Sequence, residues 1–166
     1  MSTTTLVTVE QYLLMTEKPY REYRDGQLYP KSTPTYFHGV IQIMLGALLR
    51  KLGLQVGSEV SLPISPTKIL IPDVIAARAI EQPYPTKPVL LCCEILSPGD
   101  SLGATFAKCE EYHAWGVPFC WVVDPEKRTA WEYHNAAEPV RVSDVLHAGD
   151  IAISVTELFS SLPALP

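Results

Sequence analysis

Apolar residues recur at helical spacing through Phe37, Val40, Ile41, Met44, Leu45, Leu48 and Leu52, with polar positions between them. That pattern predicts one long helix with a single buried face. Thr33-Pro34 offers a threonine cap and a first-turn proline at its start, and Gly53 offers its stop. A second helical run, SLGATFAKCEEYHAW, opens at Asp100 or Ser101 and closes at Gly116. Leu102, Phe106, Cys109 and His113 line its apolar face, and Lys108, Tyr112 and Trp115 form the adjoining stripe. A shorter helix through VEQYLLM begins at Thr8, where Gln11 completes a capping box.

Elsewhere the pattern is that of strands. REYRDGQLYP carries Asp25-Gly26 between two arms and predicts a hairpin near the N-terminus. Strand-like segments follow near 55–61, 69–77 and 89–96, with the proline-rich loop EQPYPTKP between the last two. FCWVVD and TAWEYH predict a second hairpin around PEKR, and weaker strands lie near 140–143 and 151–155. The order of elements predicts an α/β (more narrowly α+β) chain, with helices flanking a central mixed β-sheet and an N-terminal hairpin. With no linker, repeat or low-complexity stretch, residues 1–166 read as a single domain.

Composition narrows the function classes. Apolar residues make up 47% and charged residues 19%, which excludes a disordered chain. A net charge of −5 excludes gripping a polyanion by bulk electrostatics, so any such contact must be local or metal-assisted. The first residues lack the basic and apolar regions of a signal peptide, and no apolar stretch approaches the roughly 18 residues of a membrane span. Cys92, Cys93, Cys109 and Cys120 fall in core-like segments, so free thiols in a reducing compartment are expected, with a cytoplasmic location and no membrane partner.

Two acids stand inside apolar runs: Asp73 in IPDVIAA and Glu94 in CCEILSP. Burying a carboxylate is costly unless charge meets it. Strand alternation puts Asp73 on the face of Ile71 and Ile75, and Glu94 on that of Leu90 and Cys92. If the two strands are neighbours, the carboxylates approach, and a hard divalent ion suits the gap. The plainer alternatives are a turn or capping role for Asp73 and an ion pair for Glu94. Lys108 borders the buried face of the second long helix, where its stem can lie on the core and its ammonium can reach the acids, or simply snorkel to solvent.

IPDV, CEILSP and KCEEYHAWGVPFCWVVDPEKR, in that order and spacing, resemble the core signature of the Uma family of putative restriction endonucleases, within the PD-(D/E)XK nuclease superfamily. EYRDGQLY, TPTYFHGV and HAGDIAISVTELF resemble its flanking blocks, so the resemblance runs from about Thr8 to Leu158. It implies a restriction-endonuclease-like core and metal-dependent hydrolysis of DNA phosphodiester bonds. Asp73 and Glu94 would bind Mg²⁺ or Mn²⁺, and Lys108 would position or deprotonate the attacking water, for which a depressed pKa beside the metal is expected. Glu22, His38 and Tyr112 would be auxiliary. Leu96 stands where the textual motif has lysine, Gln27 where the family often has glutamate, and GDSLG lacks an arginine found in related versions. A single site per chain implies a homodimer for double-strand cutting, with the tail LFSSLPALP as a candidate surface.

Three rivals remain at this point. A scaffold could keep the nuclease fold without cleaving, which the negative charge and absent arginine favour. A zinc site from Cys92, Cys93, Cys109 and His113 is disfavoured, because adjacent strand residues point to opposite faces. A glycosidase-type carboxylate pair lacks the exposed aromatic platform that a sugar needs.

Overall fold

The computed structural model describes residues 6–16, 20–134 and 137–164. Residues 1–5 and 165–166, the outer ends of the N-terminal stretch and of the tail read above, lie outside these described residues. The capping box forms as predicted and starts helix α1 (Val9–Leu13). The hairpin follows as β1 (Arg21–Arg24) and β2 (Gln27–Pro30). Asp25 and Gly26 take φ of 49° and 83°, the two positive values that a type I′ turn requires.

The long helix α2 (Tyr36–Lys51) is capped by Thr35 and not by Thr33, the Thr35 hydroxyl accepting from the His38 amide. Pro34 lies just ahead of that cap. β3 (Gln55–Ser58) stops before the predicted 61 because Glu59 takes a left-handed φ of 54°. β4 (Leu62–Ser65) and β5 (Lys68–Leu70) then form an unpredicted hairpin across Pro66-Thr67.

The strand expected over 69–77 is broken. Residues 68–70 belong to one sheet, and β6 (Val74–Ala77) belongs to another. Ile71, Pro72 and Asp73 cross between them, so strand alternation does not carry through to Asp73. Pro72 supplies the physical reason, since it has no N–H to give a ladder and biases the residue before it.

β7 (Leu91–Ile95), α3 (Leu102–Trp115), β8 (Phe119–Asp124) and β9 (Thr129–Tyr133) form as read. Ser101 caps α3, and Gly116 closes it at φ 115°. β10 (Val140–Val142), β11 (Val145–Ala148), β12 (Ile151–Ser154) and α4 (Val155–Phe159) complete the chain, β11 and α4 being unpredicted.

A six-stranded sheet of order β10-β9-β8-β7-β6-β3 forms the centre. β7 and β8 pair in parallel, joined by α3 as the crossover, and the other pairs are antiparallel. The sheet is therefore mixed and flanked by helices, as predicted. One face packs Trp121, Cys93 and Val74 against Ile41, Leu45 and Leu49 of α2 and Leu158 of α4. The other packs Cys92, Ile75 and Val122 against Cys109 and Tyr112 of α3. A four-stranded antiparallel sheet, β2-β1-β5-β4, stands beside it, and β11 and β12 pair separately. No helix among the described residues is long and apolar enough to cross a membrane.

Much of the tail expected to serve as a pairing surface is packed inward. Leu158, Phe159 and Leu162 are buried in the α2 side of the core, so these three side chains are not free for pairing.

Candidate functional site

β6 and β7 pair antiparallel with Val74 opposite Cys93 and Ile75 opposite Cys92. Continuing that register by one step sets Asp73 opposite Glu94, at the same end of two adjacent strands. Both are nearly out of contact with solvent, at 3% and 7% exposure. Register, more than strand face, is what brings the acids together. Asp73, just outside its strand, turns to α2 and to the hairpin end: its Oδ2 accepts from the Ile95 amide at 2.7 Å and lies 3.3 Å from His38 Nε2. Glu94 turns to α3, where its Oε1 accepts from the Tyr112 hydroxyl at 2.6 Å and meets Lys108 Nζ at 2.9 Å.

Lys108 reaches the acids as the helix pattern suggested. Its ammonium lies 2.5 Å from Glu22 Oε1 and donates to the Ile71 carbonyl at 3.3 Å. Glu22, buried on β1, also accepts from the Ile71 amide at 3.0 Å, so it ties the four-stranded sheet to the break before Asp73. Glu22, His38, Asp73, Glu94 and Lys108 all line one open cleft of about 570 Å³. Tyr112 lies in the core beneath it and touches the cleft through Glu94.

Sequence reasoning missed Lys31. This residue follows β2 directly, and its ammonium meets Asp73 Oδ1 at 2.7 Å, Glu59 Oε2 at 2.8 Å and the Ile71 carbonyl at 2.8 Å. No periodicity announces a lysine at the end of a hairpin; its role depends on the long-range fold. Glu59 was missed for the same reason. Gln42 of α2 was missed too, although it lies one helical turn beyond His38 on the same face, and it donates to the Asp73 carbonyl and to Glu59 Oε1.

The electrostatics follow from this packing. Burial works against the Asp73 carboxylate, but the His38 hydrogen bond and the Lys31 charge outweigh it and hold its pKa well below the usual range. Glu94 goes the other way: burial pushes it up to about 7, with Lys108 opposing and Asp73 adding to the rise. Burial alone would lower Lys108, yet the charges of Glu94 and Glu22 outweigh it and raise the ammonium's pKa. The depressed lysine pKa expected from the sequence applies to a lysine beside a bound metal; here the two flanking carboxylates set the direction.

The zinc rival is overturned by the packing. Cys92 and Cys93 lie in the two opposite cores, and both His113 ring nitrogens are engaged by the Val117 and Tyr133 carbonyls. Among the described residues, no group of three or more His, Cys, Asp or Glu side chains is arranged to hold a metal ion. Among the donors lining the cleft, the Asp73 and Glu94 carboxylates lie opposite each other and are hard oxygens of the kind Mg²⁺ takes when water fills the remaining positions. They fit in kind, with lysine ammoniums now against them.

Residues 9–163 match the model of the Uma2 family, described as "Putative restriction endonuclease". The chain belongs to that family. A nuclease-type lineage is thus shown for this Uma2 chain, as its motifs suggested. Among solved structures it is similar to a putative nuclease belonging to DUF820 from Anabaena variabilis ATCC 29413. That similarity has a TM-score of 0.78 at 19% identity, covering 93% of this chain and 98% of the other, and it shows the shared fold. A weaker similarity, TM-score 0.44 at 20% identity, links 72% of the chain to 10% of the chain in a DrdV-DNA complex and is too distant to bear on function. No curated protein matches the Uma2 chain.

Proposed function

We propose that this Uma2 protein hydrolyses DNA phosphodiester bonds in a Mg²⁺- or Mn²⁺-dependent reaction, with residues 1–166 acting as one nuclease domain. The observation that carries the reading is the convergence of Asp73, Glu94 and Lys108 at one end of strands β6 and β7, lining an open cleft of about 570 Å³. Asp73 and Glu94 would hold the ion. When bound, it supplies Lewis-acid polarisation of a phosphoryl oxygen.

The chain's own residues do the remaining work. The Ile95 amide and His38 fix the Asp73 carboxylate, and the Tyr112 hydroxyl fixes Glu94, so neither needs reorganising when substrate arrives. Lys108, held protonated between Glu22 and Glu94, orients the attacking water and places positive charge beside the developing oxyanion. It does not take up a proton while both carboxylates flank it. Cutting both strands from one site per chain calls for two copies.

A second reading, a nuclease fold retained as a scaffold, is favoured by one observation: each site carboxylate is already matched by a lysine. Plasmid nicking across several divalent metals separates the two. Lys108→Ala is expected to lower metal-dependent cleavage by about 10²–10⁴-fold, the range for a positioned acid–base or orienting group, while metal binding persists. Lys108→Arg is not expected to rescue, since a planar guanidinium cannot occupy the position of a compact ammonium between the two acids. Undiminished cleavage by Lys108→Ala would remove Lys108 from the mechanism. Absence of cleavage by the wild type with every metal would favour the scaffold.

A further inference from the structure

Lys31 is a charged cleft residue that the nuclease reading leaves without a task. Its ammonium sits on Asp73 Oδ1, on Glu59 Oε2 and on the Ile71 carbonyl, three oxygens within hydrogen-bond distance. Lys108 donates to that same carbonyl from the other side. Asp73 thus has Oδ1 taken by Lys31 and Oδ2 engaged by the Ile95 amide and His38. A divalent ion approaching Asp73 therefore meets like-charge competition from the ammonium on Oδ1, 2.7 Å from that oxygen. The Ile95 amide is part of β7 and the His38 side chain is itself buried, so both are held more firmly than Lys31. Lys31 is a side chain with flexible torsions on a segment just past β2 and lines the open cleft, so it is the partner best placed to withdraw.

We propose that Lys31 is an exchangeable counter-cation: its ammonium holds Asp73 in the metal-free protein, yields that carboxylate to the incoming divalent ion, and then contacts a phosphate of the bound nucleic acid. This inference rests on the metal-dependent nuclease reading. Charge conservation argues for it. Leaving Asp73, Glu59 and Glu94 in one pocket without Lys31 would set like charges together. With an ion bound, the same lysine becomes surplus positive charge at the mouth of a cleft that must accept a polyanion. In a protein of net charge −5, such a local cation is the kind of phosphate contact the whole-molecule field cannot supply.

One substitution should then have opposite effects on two ligands. Lys31→Met, which keeps the stem and removes the charge, is expected to bind Mn²⁺ about tenfold tighter or more, as removing an occluding state that dominates the population requires. In Ca²⁺, where binding is read without turnover, the same variant should bind a DNA duplex more weakly, with its salt slope reduced by about one. Lys68→Met removes equal charge from the nearby ion pair with Glu111 without touching Asp73, and should leave Mn²⁺ affinity within about twofold. Equal or weaker Mn²⁺ binding by Lys31→Met, with binding abolished in Asp73→Asn, would overturn the exchange and leave the metal reading standing. Tighter Mn²⁺ binding with unchanged DNA affinity would overturn the phosphate contact. If neither wild type nor Lys31→Met binds Mn²⁺, both the exchange and the metal reading fall. Should Lys31→Met not fold, ¹⁵N-lysine NMR of the wild type decides, with the Lys31 signal assigned through Lys31→Arg. Mg²⁺ should shift that ammonium from a protected to a solvent-exchanging environment, and an unmoved signal at saturating Mg²⁺ would reject the idea.

Discussion

Asp73 and Glu94 are opposite strand-end neighbours with opposite titration behaviour, and this gives them opposite mutational signatures. Asp73 has its pKa depressed by His38 and Lys31 against the effect of burial, so its contribution to stability is present above the ordinary carboxylate range and is lost on acidification. Asp73→Asn should therefore lower metal-free stability near neutral pH, by about 1.5–3 kcal/mol, the range for a hydrogen bond to a charged group. Glu94 is raised by burial to about 7 from an ordinary 4.5. The folded state then binds more protons than the unfolded one between those values, and stability falls as pH rises through about 7. Glu94→Gln, which keeps an acceptor for Tyr112 without a charge to desolvate, should flatten that dependence. Thermal melts of both variants without metal, from pH 5 to 8, check the pair; equal pH profiles for wild type and Glu94→Gln would refute the assignment. Metal affinity should rise over the same interval, since the ion needs the carboxylate ionised.

At the scale of elements, the tail is the clearest case of a role reassigned by packing. Leu158 of α4 is fully buried against α2, so Leu158→Ala should cost about 2–5 kcal/mol by cavity formation, with no change in mass by light scattering at the same concentration. A change of oligomeric state at unaltered stability would contradict this. The helices and hairpins were largely legible, because their periods and caps are local: Thr8 with Gln11, Asp25-Gly26, Ser101 and Gly116 each act where they stand. The break at Ile71–Pro72–Asp73 was missed although Pro72 marks it, because the apolar run on either side reads as one strand until a proline's missing N–H is weighed. Asp73, Glu94 and Lys108 could be picked out as charges in apolar settings. Lys31 and Glu59 could not, since each acquires meaning only where the hairpin end, the β3 exit and the start of β6 converge.

For the whole molecule, an acidic chain with one local cluster of cations should show a particular salt and metal dependence. With metal removed by EDTA, DNA binding at physiological salt should be undetectable, because each cleft lysine is engaged by carboxylates. Adding Ca²⁺ should create binding with a shallow salt slope, reflecting a few phosphate contacts in place of a broad basic face. Fluorescence anisotropy over a range of salt concentrations measures both, and tight metal-free binding with a steep slope would disprove this picture.

The four buried thiols give the molecule a set of internal reporters. Cys92, Cys93, Cys109 and Cys120 are free and inaccessible, and burial lifts the Cys92 and Cys93 thiols well above their ordinary range. An alkylating reagent can therefore modify them only in molecules that have transiently opened. Cys93 faces the α2 core, whereas Cys92, Cys109 and Cys120 face the α3 core. Mass spectrometry of a labelling time course should then resolve which side of the sheet opens first. A population carrying three labels ahead of the fourth would mean that α3 lifts away while α2 stays seated; a jump from none to four would mean the two halves let go together.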